Sequence, residues 1–93
     1  MTVNIFIKRD VQEKKLTELT SLLKRLRSLT LSQPGYISGE TLKRIDKPNE
    51  SMVISTWRSV EDWNNWVNNQ NRLKIQTEID QLLGQETEYA VYE

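Results

Sequence analysis

The chain contains no histidine and no cysteine, and those two absences remove most familiar catalytic devices together. Without histidine there is no Ser-His-Asp relay, no imidazole general base and no imidazole ligand for zinc or haem iron. Without cysteine there is no disulfide, no thiolate metal site and no thiol nucleophile. Long hydrophobic runs are missing too. MTVNIFIKRD offers only a few apolar residues before Lys8 and Arg9, too few for an export signal, and no later run approaches the roughly 18 residues that cross a bilayer. A cytoplasmic protein that does not enter the membrane is the expectation. Surplus charge is also absent, since 13 Lys and Arg balance 13 Asp and Glu. That balance argues against nucleic acid as a partner, because such binding rests on excess positive charge.

What remains is a chain of 93 residues, 37% hydrophobic and 28% charged, sized for one domain with one modest core over residues 1–93. The neutral total hides an uneven distribution. Residues 1–44 carry nine Lys and Arg against four Asp and Glu, whereas residues 45–93 carry four against nine. Elements from the two halves are expected to interleave, so that opposite charges meet on the surface.

VNIFI, residues 3–7, alternates with period two, Val3, Ile5 and Ile7 on one side and Asn4 and Phe6 on the other, as a strand does. Asp10 with Glu13 reads as a capping pair for a helix over about residues 11–30, along which Leu16, Leu19, Leu22, Leu23, Leu26 and Leu29 keep three-four spacing. QPGY breaks that helix, and YISGETLKRI resumes as a second strand, 36–45, with Ile37 and Thr41 on one face and Leu42 on the other. DKPNE forms a turn, without the repeated acidic spacing of a calcium loop, and SMVISTW returns as the second arm of a hairpin. Ser59 with Asp62 caps a short helix bearing Val60, Trp63, Trp66 and Val67. The polar NNQN loosens it, periodicity returns from Leu73 to Leu83, Gly84 stops it, and ETEYAVYE alternates as a last strand.

The order βαββαβ is that of the ferredoxin-like α+β arrangement, a four-stranded antiparallel sheet with its helices on one face. Apolar residues point to both sides of the strands, Phe6 opposite Ile5 and Ile7, and Met52 and Ile54 opposite Val53 and Trp57. The face without helices therefore calls for a cover, and a second copy of the chain is the expected one.

Within that frame QPGYISGETLKRIDKPNESMVISTWRSVEDWNNW resembles the antibiotic biosynthesis monooxygenase (ABM) family. The likeness consists of a Pro-Gly-aromatic entry to the second strand, an Asp-x-Pro-Asn turn, a strand ending in Thr-Trp, and a short helix with Trp near its end. It implies a dimeric α+β barrel whose subunits each hold a small cavity between sheet and helices. It also implies oxidation of an electron-rich aromatic or quinol substrate by dioxygen without a cofactor. In the barrel so implied the second strand of one subunit approaches the last strand of its partner, which would set Lys43 and Arg44 against Glu86 and Glu88. The family's haem-degrading branch expects an Asn in the first strand, a Trp on the short helix and a His about ten residues later. Asn4 and Trp66 stand at the first two places, but Gln76 stands at the third, and an amide does not replace imidazole on iron.

The resemblance thus makes Asn4 and Trp66 the candidate catalytic residues and adds Tyr36, Trp63, Arg72 and Gln76 as candidates for binding a small aromatic molecule; no metal site is expected. For Asn4 two readings stay open, since family position puts it in the cavity and its own alternation puts it on the Phe6 side. Trp57, at the strand end, reads as core. A dimeric module that binds or protects a small ligand without turning it over is the alternative to an enzyme.

Overall fold

The computed structural model describes residues 1–93. Strand β1 (Val3–Asp10) lies inside the sheet because both its edges are taken, one by β3 (Glu50–Trp57) and the other by β4 (Glu88–Tyr92). Strand β2 (Tyr36–Lys43) pairs with the far side of β3, giving the order β2-β3-β1-β4, antiparallel throughout. Helices α1 (Leu16–Thr30), α2 (Val60–Val67) and α3 (Gln70–Leu83) complete the ferredoxin-like α+β fold. No helix is long and apolar enough to cross a membrane.

The period-two alternation sorts the two sheet faces. Val3, Ile5, Ile7 and Arg9 lie opposite Trp57, Ser55, Val53 and Ser51 on the helix-covered face. Asn4, Phe6 and Lys8 lie opposite Thr56, Ile54 and Met52 on the other face, where no element of the chain covers them. Under the helices Val3, Ile5, Trp57, Trp63 and Trp66 form one buried cluster, and Val11, Leu19, Ile75 and Ile79 form a second where α1 meets α3. Of the leucine stripe of α1, Leu19 is buried and Leu16 is half exposed.

Three boundaries differ from the sequence expectation. Asp10 does not cap the first helix. The β1–β3 ladder runs through Asp10 opposite Glu50, and the Val11 N–H bonds the Asn49 carbonyl at 2.7 Å, so the backbone stays extended and the helix begins at Leu16 after a 3-10 turn over Glu13–Lys15. Strand β2 stops at Lys43, because Arg44 turns into the hairpin loop and its N–H bonds the Glu50 carbonyl at 3.1 Å. The second helical stretch is two helices, since the Asn69 side chain accepts hydrogen bonds from the Asn71 and Arg72 N–H groups and so caps α3 afresh. The expected cap at Ser59 is present, its Oγ accepting from the Asp62 N–H at 3.1 Å. Gly84 ends α3 in the left-handed region, φ 72°.

Five of the six ion pairs join the basic first half of the chain to the acidic second half; the exception is Lys47–Glu50. Arg44 is engaged within its own chain by Asp46 and Glu50, and Glu88 lies 3.8 Å from Lys8. The cross-subunit pairing foreseen for Arg44 and Glu88 therefore competes with contacts already made.

Glu50 is the centre of this network and is buried. Burial pushes its carboxyl up, but hydrogen bonds and charge from Arg44 and Lys8 together pull harder and hold it below the ordinary carboxylate range. A lowered folded value means that stability is fully present above the unfolded pKa of about 4 and is lost as pH falls through the folded one. Thermal unfolding followed from neutral to acid pH should show that loss in the parent protein. A shallower acid limb is expected in Glu50→Gln, and an unchanged one would remove Glu50 from the account.

Candidate functional site

The site is built on the tryptophans. Trp57 ends β3 with its ring fully buried and its Nε1–H donated to Ser55 Oγ at 2.8 Å, which satisfies the one polar atom that burial would otherwise strand. Trp63 and Trp66, three apart on α2, land on one helix face. Trp63 meets Trp57 edge-on at 5.8 Å between ring centroids, and Trp66 stacks near it at 6.3 Å with 23° between planes. Trp57 is the indole that donates within the chain; the N–H groups of Trp63 and Trp66 form no hydrogen bond within it.

The Pro-Gly turn before β2 sets where α2 begins. Gly35 has φ 85°, and a Cβ on it would overlap the Asp62 side chain, so glycine here serves both the backbone and the close approach of the capped helix end. The Gly35 carbonyl also accepts from the Arg58 N–H at 2.7 Å. Just beyond, a register shift between Tyr36 and Ser38 puts Tyr36 and Gly39 on the same, helix-covered face, opposite Trp57 and Ser55. The Tyr36 ring packs edge-on against Trp57 at 5.4 Å. Its hydroxyl fills the place of the missing Gly39 side chain, 2.7 Å from where a Cβ would stand.

Between the sheet and helices α1, α2 and α3 these residues leave a cavity of about 260 Å³. Tyr36, Trp63, Trp66, Arg72 and Gln76 all line it. Asn4 does not. It sits on the Phe6 face, where its Oδ1 accepts from Thr56 Oγ1 at 3.0 Å. The alternation of β1 decides between the two readings of this residue, because Val3 and Ile5 already occupy the inward positions on either side of it.

Arg72 is buried on α3. Its Nη1 donates to the Val67 carbonyl at 3.1 Å and its Nη2 to the Tyr89 hydroxyl at 2.6 Å. Its guanidinium carbon stands 6.0 Å from the ring centroids of Trp63 and Trp66 and 5.5 Å from that of Tyr89, within reach of a cation–π interaction. Burial raises the Tyr89 hydroxyl above its ordinary value, while the positive charges of Arg72 and Arg9 pull it down. Gln76 donates its Nε2 to Asp80 Oδ1 at 2.8 Å and to Thr87 Oγ1 at 2.9 Å, leaving its Oε1 buried without a partner. A side chain so engaged, with an amide in place of imidazole, does not fit an axial haem ligand.

Among the wall residues that escaped the sequence reading, Arg9 and Tyr89 carry the most chemistry. Arg9 is buried at the inward end of β1 and its Nε has no partner. The signal was present in the alternation Val3, Ile5, Ile7, Arg9, but a charged residue at a strand end ordinarily reads as solvent-facing. Tyr89, opposite Ile7 on β4, followed from the same alternation once β1 was known to be its neighbour. Glu40 borders the cavity, but its register opposite Ile54 assigns its side chain to the uncovered face. The inward wall thus presents cations, hydroxyls and indoles, and no histidine or cysteine exists to add a base.

Residues 1–78 match the model of the family described as antibiotic biosynthesis monooxygenase. No curated protein matches the sequence. Among solved structures, a conserved protein from Methanosarcina mazei superposes with a TM-score of 0.90 at 20% identity, over 100% of this chain and 92% of that one. SnoaB, a cofactor-independent oxygenase from Streptomyces nogalater, gives 0.85 at 20% identity, over 99% and 91%. A Mycobacterium tuberculosis protein gives 0.85 at 16% identity, over 100% and 94%. At these identities the superpositions speak for the fold.

Proposed function

The chain belongs to the antibiotic biosynthesis monooxygenase family, and from that membership we propose that it is a cytoplasmic monooxygenase acting on an electron-rich aromatic or quinol substrate in the cavity between sheet and helices. The observation that carries this reading is the wall itself: Trp63 and Trp66 offer flat faces and unspent N–H donors, and Tyr36 and Arg72 add polar contacts around the same space. With an anthrone as substrate the chemistry needs no cofactor. The ring methylene loses both hydrogens and gains one oxygen atom as a ketone, the second oxygen atom leaves as water, and the substrate supplies every electron that reduces dioxygen. The protein contributes shape, exclusion of water and hydrogen-bond donors aimed at the anion that forms on deprotonation. Trp66 is the residue assigned closest to that anion; Trp63 and Tyr36 hold the ring, and Arg72 and Gln76 supply polar contacts. Asn4 leaves the catalytic set because it faces away from the cavity.

The single domain, residues 1–93, acts as a homodimer in this reading. Its uncovered face carries a row formed by Ile54, Phe6 and Ala90 across three strands, flanked by Leu42, Met52 and Tyr92, with Phe6 and Tyr92 edge-on at 5.1 Å. A second sheet laid on that row completes a barrel.

The experiment is oxygen uptake with a panel of anthrones and quinols. Uptake above the uncatalysed rate is expected, with a loss of about 10²-fold in Trp66→Phe if its N–H stabilises the forming anion. The lack of a base on the inward wall favours one other reading, a dimeric module that binds such rings without turnover. Saturable binding with no uptake above background would select it.

A further inference from the structure

The cavity carries an unbalanced charge. Four cations line it, Arg9, Lys24, Arg27 and Arg72, against one carboxylate, Glu40, whose register turns it to the other sheet face. The whole chain is neutral, and six ion pairs join eight of its charged residues. None of those pairs includes Arg9, Lys24, Arg27 or Arg72. Three of the four come from the basic first half of the chain.

Two of these cations are buried, which is costly for an unpaired charge. Arg9 and Arg72 are 5% and 4% exposed. Arg72 meets a carbonyl, a hydroxyl and three aromatic faces, all neutral. Arg9 keeps its Nε without any partner. Asp80 is the carboxylate whose charge Arg9 feels, but it forms no ion pair with it; its Oδ1 accepts instead from Gln76, from the Thr87 N–H and from the Thr87 hydroxyl. Burial, and the like charge of Arg72 after the opposing pull of Tyr89 and Asp80, leave the Arg9 pKa lowered.

We propose that Arg9 and Arg72 form an anion subsite, and that the ligand of this cavity is a flat aromatic ring bearing a carboxylate. A carboxylate accepts from guanidinium donors at both oxygens, and in a site walled by indoles its ring can lie against Trp63 or Trp66. Lys24 and Arg27, exposed on α1 at the same cavity, raise the potential along the approach. The inference rests on the cavity being the ligand site, as in the function proposed above, and deepens it by naming the charge of the substrate.

The test separates binding from turnover. Calorimetric titration with 2-naphthoate and with 2-naphthamide, nearly the same in shape and different in charge, should show the carboxylate binding at least about tenfold tighter, the range expected for a hydrogen bond to a charged group. Arg9→Met should abolish that preference while leaving amide affinity in place, and Arg9→Lys should retain part of it. The ligand-free Arg9→Met protein should also melt higher than the parent, since an unpaired buried charge has been removed. Equal affinity for naphthoate and naphthamide in the parent protein overturns the proposal, and so does a preference that survives Arg9→Met and Arg72→Met alike. The parent comparison stands even if a variant fails to fold. Oxygen uptake without charge preference would leave the monooxygenase and remove the anion subsite; charge preference without uptake would do the reverse.

Discussion

Trp57→Ala is expected to lower stability by about 3–5 kcal/mol, the usual cost of truncating a large buried aromatic side chain. For a domain with a total of about 5–15 kcal/mol that is a large share of the whole. The size follows from what the ring touches. Trp57 is fully buried, packs against Tyr36, Trp63 and Trp66 together, and satisfies the buried Ser55 hydroxyl. Truncation opens a void among three aromatic rings and leaves Ser55 without its donor. Trp66→Phe, by contrast, keeps an aromatic ring against Trp57 and gives up an N–H that the chain itself does not use, so folding should change little. Urea unfolding of both variants measures the contrast. Equal destabilisation at the two positions would mean that Trp66 is core and not cavity wall.

Ile54→Lys is expected to turn the proposed dimer into a monomer while the subunit stays folded. Ile54 lies opposite Phe6 in the middle of the uncovered face and is only partly buried in the single subunit, so a lysine there can reach water in the monomer. Between two apposed sheets the same ammonium would be buried without a partner, at a cost of about 2–5 kcal/mol, or roughly thirtyfold or more in dimer affinity. Sedimentation at micromolar concentration should give a dimer for the parent and a monomer for the variant. A parent protein that sediments as a monomer contradicts the barrel.

The architecture was legible where one physical signal acted alone. The alternation in Val3, Ile5 and Ile7 marked a strand, the Ser59–Asp62 cap marked α2, and Gly84 marked the end of α3, each of them local. The misses came where pairing with a distant segment overrode a local preference. Asp10 has the chemistry of a helix cap, yet the ladder to Glu50 holds it in β1. Tyr36 reaches the cavity through a register shift that no alternation foretells, and Gly39 makes room for it. The family resemblance named five residues that share the cavity wall and one, Asn4, that does not, and strand alternation had the better claim on that one. Arg9 stayed hidden because burial of an unpaired guanidinium is unusual, and that same rarity makes it informative once the structure places it.

The measurement that bears most directly on the proposed function is the origin of the oxygen in the product. An anthrone turned over under oxygen-18 gas by the purified protein should yield a ketone carrying one labelled oxygen atom, at a rate that rises with protein concentration and falls in Trp66→Phe. Label arriving from water, or labelled ketone forming equally fast with heat-denatured protein, would contradict it.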